Sequence, residues 1–301
     1  MTIDTRRPQT FPFTIENAFT DRLEGGNPAA IVHVPSLTAL PDTTLQSIAA
    51  NFNQPITVFV APKTQNDQPA HLDESTATFG IRWFTPGIEA PLCGHGTLAA
   101  AAAIFSSARG AGLTAIRFEA TSGKLLFARK VEESRVEIDL DSEIAVTPSP
   151  EEDVQLRGAL TKAFGKSVPV KYTGRGAGHL NMYALVEVDT VDLKNLKVNT
   201  DALLESPFIV HVVVAPSSVP GVTFESRMFA PRAGVPEDPV CGTAHTLSTP
   251  YWMSMNNLTG VVFAKQVSAR EGDLRILLDV AEQRIKLAGQ VKTVSKGELY
   301  I

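Results

Sequence analysis

One short pattern occurs twice in this chain. In the first half, Arg82-Trp-Phe-Thr-Pro86 is followed by Pro91-Leu-Cys93-Gly-His-Gly-Thr97 and an alanine-rich stretch. In the second, Arg227-Met-Phe-Ala-Pro231 is followed by Asp238-Pro-Val-Cys241-Gly-Thr-Ala-His245 and a stretch running toward Trp252. Each copy reads Arg-x-Phe-x-Pro and then Cys-Gly, the latter at the start of a helical pattern. A weaker pair, Gly26-Asn-Pro-Ala-Ala30 and Gly178-His-Leu-Asn-Met182, enters a strand in each half. Internal self-similarity limits the fold to two alike units, with the reaction site expected in the cleft they share. The length of 301 residues, about twice that of a common domain, agrees.

The element types point to the α+β class. Strands are expected where β-branched and aromatic residues cluster or alternate: Thr57–Ala61, Ile81–Phe84, Ile116–Phe118, Val136–Leu140, Met182–Val188, Phe208–Ala215, Leu274–Val280 and Ile285–Leu287. Helices are expected over Pro41–Asn51, Thr97–Ala108 and Glu151–Phe164, and from Thr243 toward Trp252. Thr97–Ala108 has no polar face, the pattern of a helix surrounded by protein and closely approached by a sheet.

Composition excludes several classes. With 44% hydrophobic and 20% charged residues, the chain is neither disordered nor fibrous. Its net charge of −5 and scattered Lys and Arg argue against a nucleic-acid or membrane-surface partner. Met1-Thr-Ile-Asp-Thr-Arg-Arg7 leads into no apolar segment, and the longest apolar run, Leu98–Phe105, is too short to span a bilayer. A cytoplasmic location is therefore expected. Two cysteines cannot form a disulfide framework, and no Cys-x-x-Cys is present to clip zinc. The other histidines, His33, His71, His179 and His211, show no metal-ligand spacing. Neither metal nor cofactor is expected.

The two cysteines are instead one per repeat. A helix N-terminus favours a thiolate, and its N–H groups bind a carboxylate. Those of Gly94, Gly96 and Thr97 in one half, and of Gly242 and Thr243 in the other, would hold such a substrate. Cys93 and Cys241 would then face opposite sides of one carbon, the thiolate removing a proton and the thiol supplying one. That is a cofactor-independent racemase or epimerase of an amino acid or related small carboxylate. Free cysteines are also commonly inert packing residues, which is the competing reading. His95 can tune a thiolate, touch substrate or pack; His245 reads more as packing. Asp238, before a proline at the mouth of the second helix, can act as acid/base or shape a turn.

At these residues the sequence resembles the phenazine-biosynthesis (PhzF-type) isomerase family, within the diaminopimelate epimerase-like fold. The matches are Phe19-Thr-Asp-Arg22 with Gly26-Asn-Pro28, Arg82–Pro86, Leu92–His95, Arg227–Pro231, Glu237-Asp-Pro239 and Pro250-Tyr-Trp252. They run in family order from Phe13 to about Gly297. The resemblance implies two pseudo-symmetric halves, each a curved, mostly antiparallel sheet around a central helix, and a homodimer. The halves are placed at residues 1–122, rejoined by 287–301, and at 123–286. It also implies site roles for His95, Asp238 and Thr243, and ligand contact at Asn27. The family's proton-carrying glutamate is replaced here by Ile56, in Asn53-Gln-Pro-Ile-Thr-Val-Phe59. Cys241 stands where the family usually has threonine, so the pair with Cys93 resembles diaminopimelate epimerase and proline racemase. Two alternatives stay open. One is a proton shift, rearrangement or elimination on a small biosynthetic intermediate, using His95 and Asp238. The other is a non-catalytic ligand binder that has lost the glutamate.

Overall fold

The structure is a computed structural model, and it describes residues 9–65, 68–69, 71–132, 134–165, 167–190 and 192–301. The Met1–Arg7 start, read above as carrying no apolar leader, lies outside them. The chain divides into two compact units. One takes in the chain up to Ala18, Pro28–Val136 and Val291–Ile301; the other is Phe19–Asn27 with Glu137–Gln290.

In the first unit the strands are β1 (Thr10–Ala18), β2 (Asn27–His33), β3 (Ile56–Pro62), β4 (Thr76–Phe84), β5 (Glu89–Ala90), β6 (Ala115–Ala120) and β7 (Leu125–Val131). The C-terminal strand Val291–Tyr300 pairs antiparallel with β1, which also pairs with β2. From there the ladder runs β2 parallel to β3, β3 antiparallel to β4, β4 parallel to β6 and β6 antiparallel to β7. Parallel neighbours need a crossover, and each is a helix. Helix α1 (Asp42–Phe52) joins β2 to β3, burying Leu45, Ile48 and Ala49 at the expected helical spacing. Helix α2 (Gly94–Phe105) joins the β4–β5 hairpin to β6. It packs against β1, β3, β7 and the C-terminal strand, and Gly94 through Ala101 are all buried. That is what an alanine helix without a polar face requires.

The second unit repeats this strand pairing, with its first long helix placed ahead of the strands that carry it. After α3 (Pro150–Phe164), its strands are β8 (Val170–Gly176), β9 (Tyr183–Val188), β10 (Val210–Pro216), β11 (Phe224–Ala230), β12 (Val235–Asp238), β13 (Val261–Gln266), β14 (Gly272–Asp279) and β15 (Arg284–Gly289). Here β9 is parallel to β10, β10 antiparallel to β11, β11 parallel to β13 and β13 antiparallel to β14. Helix α4 (Gly242–Met255) makes the crossover from the β11–β12 hairpin to β13, as α2 does in the first unit. The architecture is α+β, with one pairing scheme used twice.

The Arg-x-Phe-x-Pro pattern has a physical reason in this scheme. Arg82 forks onto Glu89 across the β4–β5 hairpin (2.8 and 2.7 Å), its guanidinium 5.0 Å from the Phe84 ring centre. Arg227 forks onto Glu237 across β11–β12 (2.7 and 2.9 Å) and lies 4.9 Å from the Phe229 ring centre. A bidentate guanidinium–carboxylate pair fixes direction as well as distance. Each clamp therefore sets the hairpin from which the chain enters a Cys-Gly helix start.

Candidate functional site

Both cysteines are N-caps. Cys93 caps α2 in an extended conformation (φ −143°, ψ 113°) and Cys241 caps α4 (φ −103°, ψ 105°). Both thiols are half-buried. In both, the side chain four residues on grips the cap carbonyl. Thr97 Oγ1 donates to the Cys93 carbonyl (2.7 Å) and accepts from the Trp83 indole N–H (3.2 Å), while the Thr97 amide closes the first helical bond to the same carbonyl (3.0 Å). At the other start, His245 Nδ1 donates to the Cys241 carbonyl at 2.8 Å. A carbonyl only accepts, so that nitrogen carries the ring proton, and Nε2 takes the Ser226 hydroxyl at 3.1 Å. Burial pushes the His245 pKa down to about 4, against the pull of the Cys241 carbonyl. His245 is a neutral pin for the helix start, the packing role its sequence position suggested.

The sulfurs have unlike surroundings. Cys93 Sγ lies 3.3 Å from His95 Nδ1. Burial pushes the His95 pKa down to about 4, against the opposing pull of the Pro28 backbone, so it is neutral at pH 7. In the tautomer that carries its proton on Nε2, Nδ1 accepts the thiol proton. Cys241 Sγ instead accepts the Ala244 amide at 3.4 Å, a bond that favours the thiolate. At α2 no side chain caps the first turn, and the Gly94 and Gly96 amides lie where a helix has no internal acceptor. Gly96 leaves little room for a side chain: a Cβ there would sit 3.0 to 3.3 Å from Val58 Cγ2, Ile56 Cγ2 and Cys93 Sγ. Ile56, 2% exposed at the start of β3, therefore presents a methyl to this turn.

In the second unit Asp238 and Cys241 are fixed by residues distant in sequence. Asn27 Nδ2 donates to both Asp238 carboxyl oxygens (3.2 Å each) and to the Val240 carbonyl (3.0 Å). Burial pushes the Asp238 pKa up to about 6, against hydrogen bonds from Asn27 and the Val240 amide, with Glu237 adding to the rise. Gln266, fully buried, donates to the Asp238 carbonyl (2.7 Å) and accepts the Cys241 amide (2.9 Å), bridging acid and thiol. Arg270 holds the Gly25 and Gly26 carbonyls at 2.8 Å each, fixing the loop that carries Asn27. Gly242 and Thr243 occupy the first turn of α4 beside this network.

The expected site residues thus form two groups, one at each helix start. Cys93, Gly94, His95, Gly96 and Thr97 are together in the first unit; Asn27, Asp238, Cys241, Gly242 and Thr243 are together in the second. Gln266 and Arg270 went unnoticed in the sequence. Gln266 had a signal: in β13 it takes the inward phase of Val262 and Ala264, where a polar side chain needs a partner. Among the described residues no three of His, Cys, Asp or Glu gather as a metal site, and no helix is long and apolar enough to cross a membrane.

Comparison with known proteins adds a family. The family model described as "Phenazine biosynthesis-like protein" matches residues 16–297. An uncharacterized isomerase of Halalkalibacterium halodurans is 32% identical over 293 residues, covering 97% of this chain and 99% of that protein. A PhzF-family phenazine biosynthesis protein of Enterococcus faecalis superposes with a TM-score of 0.77 at 28% identity, covering 97% of this chain and all of that one. A hydroxyproline epimerase of Agrobacterium vitis shares the fold at a TM-score of 0.57 and 11% identity, covering 98% of this chain and 93% of its own.

Proposed function

The chain belongs to the phenazine biosynthesis-like family and is an isomerase, and on that premise we propose that it racemises or epimerises a small carboxylate with two thiols and no cofactor. The observation that carries this reading is the pair of Cys-Gly helix starts whose sulfurs have unlike partners, His95 Nδ1 for Cys93 and the Ala244 amide for Cys241. Cys241, accepting an amide N–H, is the thiolate that removes the substrate α-proton. The electron pair left behind delocalises into the substrate carboxylate, held by first-turn amides of Gly94, Gly96, Gly242 and Thr243. Cys93, hydrogen-bonded to neutral His95, delivers its proton to the opposite face. The product leaves with Cys93 as thiolate and Cys241 as thiol, the state that starts the reverse direction. The named epimerase of the same fold suits an amino acid as substrate. Incubating candidate amino acids in D₂O and following α-proton exchange by NMR tests the reading. Loss of exchange by about a hundredfold or more in Cys93→Ser and in Cys241→Ser is expected. Exchange that survives in both variants overturns it.

A second reading is favoured by one observation, the Asp238 pKa near 6. A carboxyl poised there suits proton transfer close to neutral pH. In this reading Asp238 and His95 move a proton along an unsaturated intermediate and the thiols are spectators. Activity retained after thiol alkylation and lost in Asp238→Asn selects it over the first.

A further inference from the structure

A second set of charged groups lies at the other end of α2, about 15 Å from Cys93 by the helical rise per residue. A cavity of about 360 Å³ opens there, walled by β1, β2, the last turn of α2, the short helix that follows it and the C-terminal strand. Its floor is Glu16, 1% exposed, whose Oε2 has no hydrogen-bond partner. Leaving a carboxylate oxygen dry and unsatisfied is unfavourable unless something completes it. Burial raises the Glu16 pKa, against the lowering effect of the Thr14 and Thr293 hydroxyls and Lys296. His33, 9% exposed, has a pKa pushed down to about 4 by burial and by Arg109, so it is a neutral partner. Arg109 and Lys296, both exposed, stand at the rim, and Phe13 and Ala103 give an apolar wall.

The charges are thus sorted by depth: a buried acceptor near the carbonyl end of a helix, which favours a cation, and two cations outside, which favour an anion. A ligand with ammonium and carboxylate on one carbon and an apolar side chain satisfies all three surfaces. We infer that this cavity binds an apolar α-amino acid, its ammonium on Glu16, its carboxylate on Arg109 and Lys296, and its side chain against Phe13. The cavity lies at the opposite end of α2 from Cys93, and the inference stands whatever reaction the thiols perform.

Calorimetric titration of the full chain with L-leucine, L-methionine and L-phenylalanine tests it. Saturable binding of at least one is expected. For L-phenylalanine, 3-phenylpropionate (no ammonium) and 2-phenylethylamine (no carboxylate) should each bind about tenfold or more weakly. Glu16→Gln should weaken binding by a similar factor. Arg109→Ala, a surface change that leaves folding and turnover alone, should do the same. Cys93→Ala should leave the affinity unchanged. Absence of saturation with all three amino acids overturns the inference, as does affinity indifferent to Arg109→Ala or abolished by Cys93→Ala.

Discussion

Asp238 stores free energy in the folded chain as an unfavourable charge. Its pKa is about 6 when folded and near the ordinary 3.8 when unfolded, so the folded state holds the proton more tightly. Stability from this group is therefore greatest at low pH and is lost as pH rises from about 4 through about 6. Asp238→Asn removes that loss. Its unfolding free energy from denaturant titration should exceed that of the native chain by on the order of 1 kcal/mol at pH 7, with little difference at pH 4. Under the Asp238–His95 reading the same variant is inactive. Ile56 makes the opposite case. It is 2% exposed and packed toward Gly96, so Ile56→Glu puts a carboxyl into a dry apolar contact. A loss of about 3 kcal/mol at pH 8 is expected, smaller at pH 5 where the carboxyl is protonated, as read by denaturant melts at both. The His95 and His245 roles, by contrast, were only half legible. Each follows a Cys-Gly, and spacing placed both near a thiol, but only the neighbours show that His245 serves a carbonyl while His95 meets sulfur.

Helices and strands were largely readable, because their signals are local periodicities. The end of α3 at Phe164 coincides with the expected one, and Ser149 with Glu152 forms the capping box that opens the helix. The start of α2 was read late, at Thr97 instead of Gly94. Gly-His-Gly has poor helix propensity, and what overrides it is tertiary: the turn is buried and its cap carbonyl is held by Thr97. Thr97 thereby ties the start of α2 to β4, since its hydroxyl also receives the Trp83 indole. Thr97→Val leaves that N–H buried without its acceptor and should destabilise the chain by about 1–3 kcal/mol in urea unfolding. The helix start that carries Cys93 loosens with it, so turnover should fall more than stability alone would require.

At the scale of the molecule, one pairing scheme used in both units explains why one motif recurs. The parallel crossover delivers a helix N-terminus directly after a clamped hairpin, and it does so twice. The proposed two-thiol reaction uses only groups of the chain itself. Activity should accordingly survive exhaustive dialysis against a chelator and be lost on treatment with iodoacetamide, with substrate protecting both cysteines in a mass-spectrometric count of alkylated sites. Protection of neither would count against the proposal.

The two cysteines in matched Cys-Gly contexts, the doubled Arg-x-Phe-x-Pro, the polar-free alanine helix and the family likeness could all be read from the chain alone. They are properties of order and spacing, which do not change on folding. What only the tertiary structure decided is the state of each group. Asp238 rises because folding buries its carboxyl, against the hydrogen bonds that Asn27, far away in sequence, and the Val240 amide give it. His95 and His245 are neutral because they are buried. Glu16, which no motif marks, matters only because folding strips its water and leaves one oxygen unmatched. Ionisation and hydrogen-bond satisfaction depend on the local dielectric and on partners brought from elsewhere.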